Sequence, residues 1–274
     1  MAERLQKLLA RIGLGSRREI EGWIRQGRVT VNGQPAELGV QVGIRDRIQV
    51  DGKPVQLAQD VMRPVRRVLL YHKPVGELTS RSDPEQRPTV FENLPALKGS
   101  RWISVGRLDL NTSGLLLLTT DGELANRLMH PSHELEREYA VRVFGEVGAD
   151  VLKHLMDGVQ LEDGPAHFTR IREAGGSGVN HWYHVVIREG RNREVRRLWE
   201  HVGIKVSRLI RIRFGPVSLP RTLRVGHYIE LKEGAVNALL EASGIRAAAP
   251  ERARRPVTRH SGRRMRRGND DRSS

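Results

Sequence analysis

Cysteine is absent from all 274 residues. The chain therefore has no disulfide, thiolate zinc site, iron–sulfur cluster or cysteine nucleophile, and it fits a reducing compartment. Long apolar runs are also missing. Leu115 to Leu118 is only a short block, far below the roughly 18 residues of a membrane span. The N-terminus, MAERLQKLLARIG, lacks the apolar stretch of a secretory signal. Aromatics make up 4% of the chain and apolar residues 38%, enough for a lean core that leaves part of the chain outside it.

What is abundant is positive charge. Lys and Arg number 47 against 32 Asp and Glu, a formal net charge of +15. Residues 246–274 hold ten Arg and three acids, a net +7 with almost no apolar content, and they read as a disordered basic tail. The other 245 residues still carry +8. A basic folded part points to a polyanion such as RNA, DNA or an acidic membrane surface. The bland alternative is a basic protein whose tail only aids solubility.

Residues 1–62 read as a small module with its linker. Leu5, Leu8, Leu9 and Ile12 recur at helical spacing, and Gly13 and Gly15 end that helix. Ser16 and Glu19 have the spacing of a capping box. The helix they open buries Ile20, Trp23 and Ile24, with Gly27 just past its end. Short strands follow at Val29–Val31 and 47–50, with hairpin turns at Asn32-Gly33 and Asp51-Gly52. Residues 54–66, with Pro54 and Pro64, read as a linker. Gly13-Leu14-Gly15 starts a dinucleotide-type glycine pattern, but Arg18 occupies the third glycine position and no strand precedes it. Arg11, Arg17, Arg18, Arg25 and Arg28 cluster around the two helices. Cations beside a helix start suit phosphate binding; a solvated basic face is the competing reading.

The segment RLQKLLARIGLGSRREIEGWIRQGRVTVNG, Arg4 to Gly33, resembles the S4 RNA-binding domain. The resemblance implies that Arg11, Arg17, Arg18 and Arg28 face RNA.

Residues 63–245 form a second domain that opens on a buried strand at Arg67 to Tyr71. Further strands are expected at 101–105, 114–119, 138–144, 167–173, 182–188, 206–214 and 226–231. Helices are expected at 121–130, capped by Thr120 with Glu123, and at 149–157, 193–202 and 235–243. Gly175 to Gly178 reads as a loop tip. The mixture predicts an α+β fold on a largely antiparallel sheet.

Conventional catalytic patterns are weak. The ten His fall in no HExxH frame, and no acidic cluster accompanies them, so no metal site is expected. No nucleophile elbow and no phosphate-binding loop is present. Three segments remain. Val105 to Gly114 places Arg107 and Asp109 on a glycine-framed loop before the leucine block. Arg137 to Val141 puts Tyr139 in strand alternation, and Glu189 to Leu198 leads from a strand into a basic helix. Their bland readings are a turn-capping Asp paired with Arg, a core tyrosine and a solvated helix.

Taken in order, GRLDLNTSGLLLLT, REYAV and EGRNREVRRLWE resemble the catalytic-aspartate, tyrosine and basic motifs of the S4-bearing ribosomal RNA pseudouridine synthases. The resemblance runs from residue 2 to about 245 and leaves the Arg-rich tail outside. The length, the tail and the RNREVRRLWE wording are closest to the large-subunit branch, which implies a stem-loop of 23S rRNA near the peptidyl-transferase centre as substrate. It implies Asp109 as nucleophile, Tyr139 as the ring stacked on the target base, and Arg196 as the basic partner holding the aspartate. Arg107 becomes the side chain that fills the place of the extruded uridine. It further implies a cytoplasmic monomer with no cofactor.

Physical chemistry is consistent with those roles. The base must stay bound after the N1–C1′ bond breaks, which needs a closed pocket and an aromatic platform. A carboxylate can serve as covalent nucleophile, and an adjacent guanidinium keeps it ionised. Whether Asp109 attacks C1′ or C6 is open at this stage. Two competing classes keep the basic surface without needing Asp109: a non-catalytic rRNA-binding or assembly factor, and a DNA-binding protein. A synthase acting on 16S rRNA is a further alternative.

Overall fold

A computed structural model describes residues 2–43, 45–56, 66–81, 83–97 and 99–245. The basic tail expected at 246–274 and most of the expected linker lie outside the described residues.

The N-terminal unit is built on β1 (Glu3–Arg4), α1 (Leu5–Arg11), α2 (Arg17–Arg25), β2 (Val29–Val31), β3 (Gln34–Pro35), β4 (Gln41–Val42), β5 (Ile48–Val50) and β6 (Lys53–Pro54). Leu5, Leu8 and Leu9 of α1 pack with Ile20 and Ile24 of α2 and with Val29 and Ile48 in a core of their own. The capping box forms as the sequence dictates: Ser16 accepts from the Glu19 N–H, and the Glu19 carboxylate accepts from the Ser16 N–H at 2.6 Å. Hydrogen bonding to Ser16 lowers the Glu19 pKa. Asn32 and Gly33 both take positive φ, 53° and 86°, which a two-residue hairpin requires. Two details differ from expectation. A short strand, β1, precedes the helices and pairs with β4. Pro54 is not linker but pairs with Gln49 on an edge strand, where a missing N–H costs no ladder bond.

The larger unit has the order β7 (Val68–Lys73), β8 (Ile103–Ser104), β9 (Ser113–Thr119), α3 (Gly122–Met129), β10 (Arg137–Phe144), α4 (Ala149–Asp157), β11 (Val159–Leu161), β12 (Gly164–Ala166), β13 (Arg170–Ser177), β14 (Asn180–Ile187), α5 (Glu194–His201), β15 (Val206–Phe214), β16 (Val217–Ser218), β17 (Tyr228–Glu230) and α6 (Glu233–Ala242). It is an α+β unit on one large mixed sheet of order β13-β14-β10-β15-β9-β7-β17, with β16 on β15 and β8 on β9. Only β15 and β9 pair in parallel among these strands.

The two halves of the sheet are buried differently, and the sequence shows why. In β7 and β9, alternate residues enter opposite cores: Leu69, Leu116 and Leu118 on one face, Leu70, Leu115 and Leu117 on the other. Burial on both faces demands a continuous apolar run. In β10, Tyr139, Val141 and Val143 are core, while Glu138 and Arg142 between them are half-exposed. That strand has one wet face.

Three local expectations are corrected. The cap of α3 is Asp121, which accepts from the Glu123 and Leu124 N–H groups, rather than Thr120. The Thr120 hydroxyl instead accepts from the Arg67 N–H at 3.0 Å, on the strand next door. Gly175 and Gly176 lie within β13, at a register shift between Glu173 and Gly176. The Ser177–Asn180 pair closes the hairpin, so its tip is Gly178-Val179. The strand expected at 167–173 starts only at Arg170, because Phe168 turns into the core.

Candidate active site

The loop before β9 is tied down carbonyl by carbonyl. Leu108 O accepts from Thr79 Oγ1 at 3.0 Å. Asp109 O accepts from the Thr112 N–H at 3.0 Å and from Lys73 Nζ at 3.1 Å. Leu110 O accepts from the Gly76 N–H at 2.9 Å, Asn111 O from Arg196 Nη2 at 2.9 Å, and Thr112 O from Lys73 Nζ at 2.9 Å. Five consecutive carbonyls are thus held by donors from five residues, Lys73, Gly76, Thr79, Thr112 and Arg196. Such a frame fixes side chains far better than an ordinary surface loop.

Within that frame Leu108 is buried, Arg107 is exposed and Asp109 is half-buried. Arg107 and Asp109 both line a cavity of about 620 Å³, a volume in the range of ligand sites. The Asp109 carboxylate has no hydrogen-bond partner among the described residues. Tyr139 lines the same cavity from β10, beside a register shift between Glu138 and Tyr139 against β15. The structure therefore brings Arg107, Asp109 and Tyr139 together.

Arg196 is placed otherwise. It is 7% exposed, and its guanidinium donates to Val206 O at 3.0 Å as well as to Asn111 O. It grips the backbone of the loop, not the Asp109 carboxylate, and it does not line the cavity. Burial lowers its pKa, opposed in part by the charge of Asp109.

Four further cavity or loop groups escaped the sequence reading. Lys73 is fully buried; burial pushes its ammonium down to about 8 against the pull of Glu77 and Asp109. Its signal was a lysine ending a strand buried on both faces. Arg137 and Arg211 line the cavity and approach the Phe214 ring at 5.1 and 5.4 Å. Arg211 donates Nε–H to Leu115 O and leaves a buried Nη2 without a partner. Glu194, the first residue of α5, is 2% exposed and lines the cavity. Burial, then the neighbouring Glu189, pushes its carboxyl up to about 7. Hydrogen bonding to Arg191 holds Glu189 low. Arg137 and Glu194 stand inside the REYAV and EGRNREVRRLWE segments, but nothing in the sequence marks them or Arg211 as cavity groups, because tertiary packing brings them there.

On the N-terminal unit, Arg11 pairs with Glu3, and Arg28 makes a two-pronged pair with Asp51 while stacking on Trp23 at 5.4 Å. Arg17 and Arg18 stand exposed at the start of α2 with no acidic partner among the described residues. Of the four arginines expected to face RNA, these two are the uncompensated ones. The unit touches the larger one where Arg101 Nη1 donates to Gly15 O at 3.0 Å. No helix among the described residues is long and apolar enough to cross a membrane.

The chain matches the RNA pseudouridylate synthase family over residues 67–201 and the S4 domain over residues 3–48. A Pseudomonas aeruginosa protein named ribosomal large subunit pseudouridine synthase B is 57% identical over 250 residues, covering 91% of this chain and 64% of that protein. A Yersinia pestis protein of the same name is 60% identical over 243 residues, covering 88% and 76%. A crystal structure of a pseudouridylate synthase superposes with a TM-score of 0.60 at 28% identity, covering 86% of this chain and 99% of that one.

Proposed function

The chain belongs to the RNA pseudouridylate synthase family, carrying an S4 domain, and from that premise we propose that it converts one uridine of 23S rRNA, in a stem-loop near the peptidyl-transferase centre, to pseudouridine. The names of its relatives support a large-subunit substrate. The reaction breaks N1–C1′, rotates the uracil and forms C5–C1′; C5 loses a proton and N1 gains one. Nothing is oxidised or reduced, so the balance calls for no cofactor.

The observation that carries this reading is the Asp109 carboxylate, which lines the cavity without a hydrogen-bond partner among the described residues, on a loop whose carbonyls from Leu108 to Thr112 are engaged. Asp109 attacks the sugar or the pyrimidine ring as nucleophile. Tyr139 supplies the face against which the detached uracil rests. Arg107, exposed at the cavity, enters the stack vacated by the uridine. Arg196 acts as a positioning residue: through Asn111 O it sets the loop, and its charge adds a favourable field at Asp109. Arg17 and Arg18 bind phosphates, with Arg11 and Arg28 shaping the same face. Residues 1–62 thus serve as the RNA-binding unit and 63–245 as the catalytic one, acting as a monomer in the cytoplasm.

The test is release of tritium from C5-labelled uridine in a 23S stem-loop by wild type and Asp109→Asn. The amide keeps the size of the carboxylate but is no nucleophile. Loss of release with RNA binding retained is expected. Turnover within about tenfold of wild type, roughly 1.4 kcal/mol of barrier, overturns the nucleophile assignment. Release from a 16S substrate alone moves the target to the small subunit.

A further inference from the structure

The wet face of the sheet, on the side opposite the cavity, is not an ordinary solvated surface. Its rows are set by strand register. Arg142 of β10 lies directly opposite Arg208 of β15 on one side and Trp182 of β14 on the other. The next row holds Ile210, Ala140, His184 and Arg172. Like charges directly opposite one another destabilise a sheet, so the Arg142–Arg208 pair is a cost to the free protein.

Among the described residues no carboxylate pairs with either arginine to remove that cost. Arg142 uses its Nε–H on Ser207 Oγ at 3.0 Å and lies over the Trp182 ring at 5.9 Å. Arg208 is exposed and has no side-chain partner among the described residues. Arg172 donates to His184 Nδ1 at 2.9 Å, so it is not paired with an acid. Glu138, two residues before Ala140 on β10, is engaged by Arg213 at 2.8 Å and lies 3.5 Å from His184. Beside Trp182, β13 passes through its register shift with Ala174 and Gly175, which have almost no side chain to cover the indole.

We infer that this face is a second RNA-binding surface, taking a single-stranded segment that flanks the target stem-loop, with phosphates against Arg142 and Arg208 and a base against Trp182. The inference rests on the proposed rRNA substrate for its biological partner, but its chemistry stands alone. Guanidiniums beside a flat indole are the pairing that binds single strands without reading sequence. A flanking strand must round the sheet edge at β13 to reach this face from the cavity. A single strand bends that far; a short continuous duplex is too stiff.

The experiment compares full-length wild type, Arg142→Gln/Arg208→Gln and Trp182→Leu on two RNAs: a minimal stem-loop, and the same stem-loop with a ten-nucleotide single-stranded extension. Affinity is read by fluorescence anisotropy across a salt series. The double variant is expected to lose about tenfold in affinity for the extended RNA only, with a salt slope smaller by about 1.4, the value for two single-strand phosphates. Trp182→Leu is expected to weaken the same RNA with an unchanged slope, since it removes stacking and not charge. All three proteins should release C5 tritium from the minimal stem-loop at one rate; each should unfold cooperatively, the double variant no lower than wild type because it relieves the Arg142–Arg208 repulsion. Equal losses on both RNAs, or none on either, overturn the inference. So does polyglutamate competing as well as the extension, which would assign the face to an acidic protein. If wild type releases no tritium yet the extension-dependent affinity persists, the enzymatic reading fails and this one stands.

Discussion

Lys73 and Asp109 meet through the backbone: the buried ammonium donates to the Asp109 carbonyl oxygen at 3.1 Å while the Asp109 carboxylate is left to the cavity. The same ammonium holds Pro74 O at 2.8 Å and Thr112 O at 2.9 Å. One side chain thereby joins the end of β7 to both ends of the turn that presents the candidate nucleophile. Burying a charge in this way is expensive unless it is satisfied, and here all three ammonium protons have carbonyl acceptors.

Lys73→Met tests that relationship. Methionine fills a similar volume but takes this donor from three carbonyls, Pro74 O, Asp109 O and Thr112 O, of which Asp109 O keeps the Thr112 N–H. A loss of about 2–4 kcal/mol in unfolding free energy is expected by urea titration. At a temperature where the variant is folded, kcat should fall more than KM rises, because the loop, not the RNA contact surface, is what loosens. An unchanged kcat in the folded variant would remove Lys73 from the positioning of Asp109.

Glu194 gives a pH-dependent prediction. Its folded-state value of about 7 lies above the ordinary 4.5, so between those values the folded state holds a proton that the unfolded state has released. Stability from this group is intact below about pH 4.5 and is lost as pH rises to 7. Glu194→Gln removes the titration. It should raise the melting temperature at pH 8 relative to wild type, by the equivalent of about 1–3 kcal/mol, and change it little at pH 4.5. The groups around Glu194 are Glu189, Arg191, Arg197 and Arg137; the arginines stay charged across that range, and hydrogen bonding to Arg191 favours the ionised form of Glu189. A variant equally shifted at both pH values would show that Glu194 is not the titrating carboxyl.

Gly114 sits where β9 meets β15. A Cβ there would lie 2.3 Å from Arg211 O and 2.6 Å from Arg211 N, and φ is +107°. Neither backbone atom can yield without breaking the parallel pairing of Gly114 with Arg211. Gly114→Ala should cost roughly 3 kcal/mol or more. Gly76→Ala, at φ +94° with open space around it, should cost only about 1 kcal/mol. Equilibrium unfolding of the pair separates steric collision from backbone strain; equal costs would refute the close approach.

Much of this architecture was legible in the sequence because it follows from local chemistry. The leucine block of β9 is continuous because both its faces are buried, and the R-E-Y-A-V-R-V-F of β10 alternates because one face is wet. Helix α4 spans the expected residues, Ala149–Asp157, since Gly148 and Gly158 bracket an amphipathic run. The cap of α3 was misread because Thr119, Thr120 and Asp121 can all cap, and only the strand pairing with Arg67 shows that both threonines are engaged elsewhere. The site was half legible. Arg107, Asp109 and Tyr139 lie in motifs with local character, whereas Lys73, Arg137, Glu194 and Arg211 acquire their roles from burial against distant segments. Arg196 was identified, but its acceptors, Asn111 O and Val206 O, are backbone atoms that no side-chain pattern announces.

Arg107 distinguishes extrusion of the uridine from chemistry on it. It is exposed at the cavity, two residues before Asp109, with buried Leu108 between them. Leu108 is pinned in both directions by Thr79, whose hydroxyl donates to Leu108 O at 3.0 Å and accepts from its N–H at 3.3 Å. Arg107 therefore projects from a fixed point toward whatever occupies the mouth of the cavity. Extruding a stacked uridine costs a few kcal/mol, and a guanidinium entering the gap offsets part of that by stacking and hydrogen bonding. A uridine that is already unpaired needs less of this help. Single-turnover rates of wild type and Arg107→Ala should thus differ by about tenfold to a hundredfold on a fully paired stem-loop, the equivalent of about 1.4–2.8 kcal/mol. They should differ much less on the same RNA with the target uridine mismatched. Equal rate losses on both substrates would place Arg107 in the alignment of Asp109 instead, since a misaligned nucleophile slows every substrate alike.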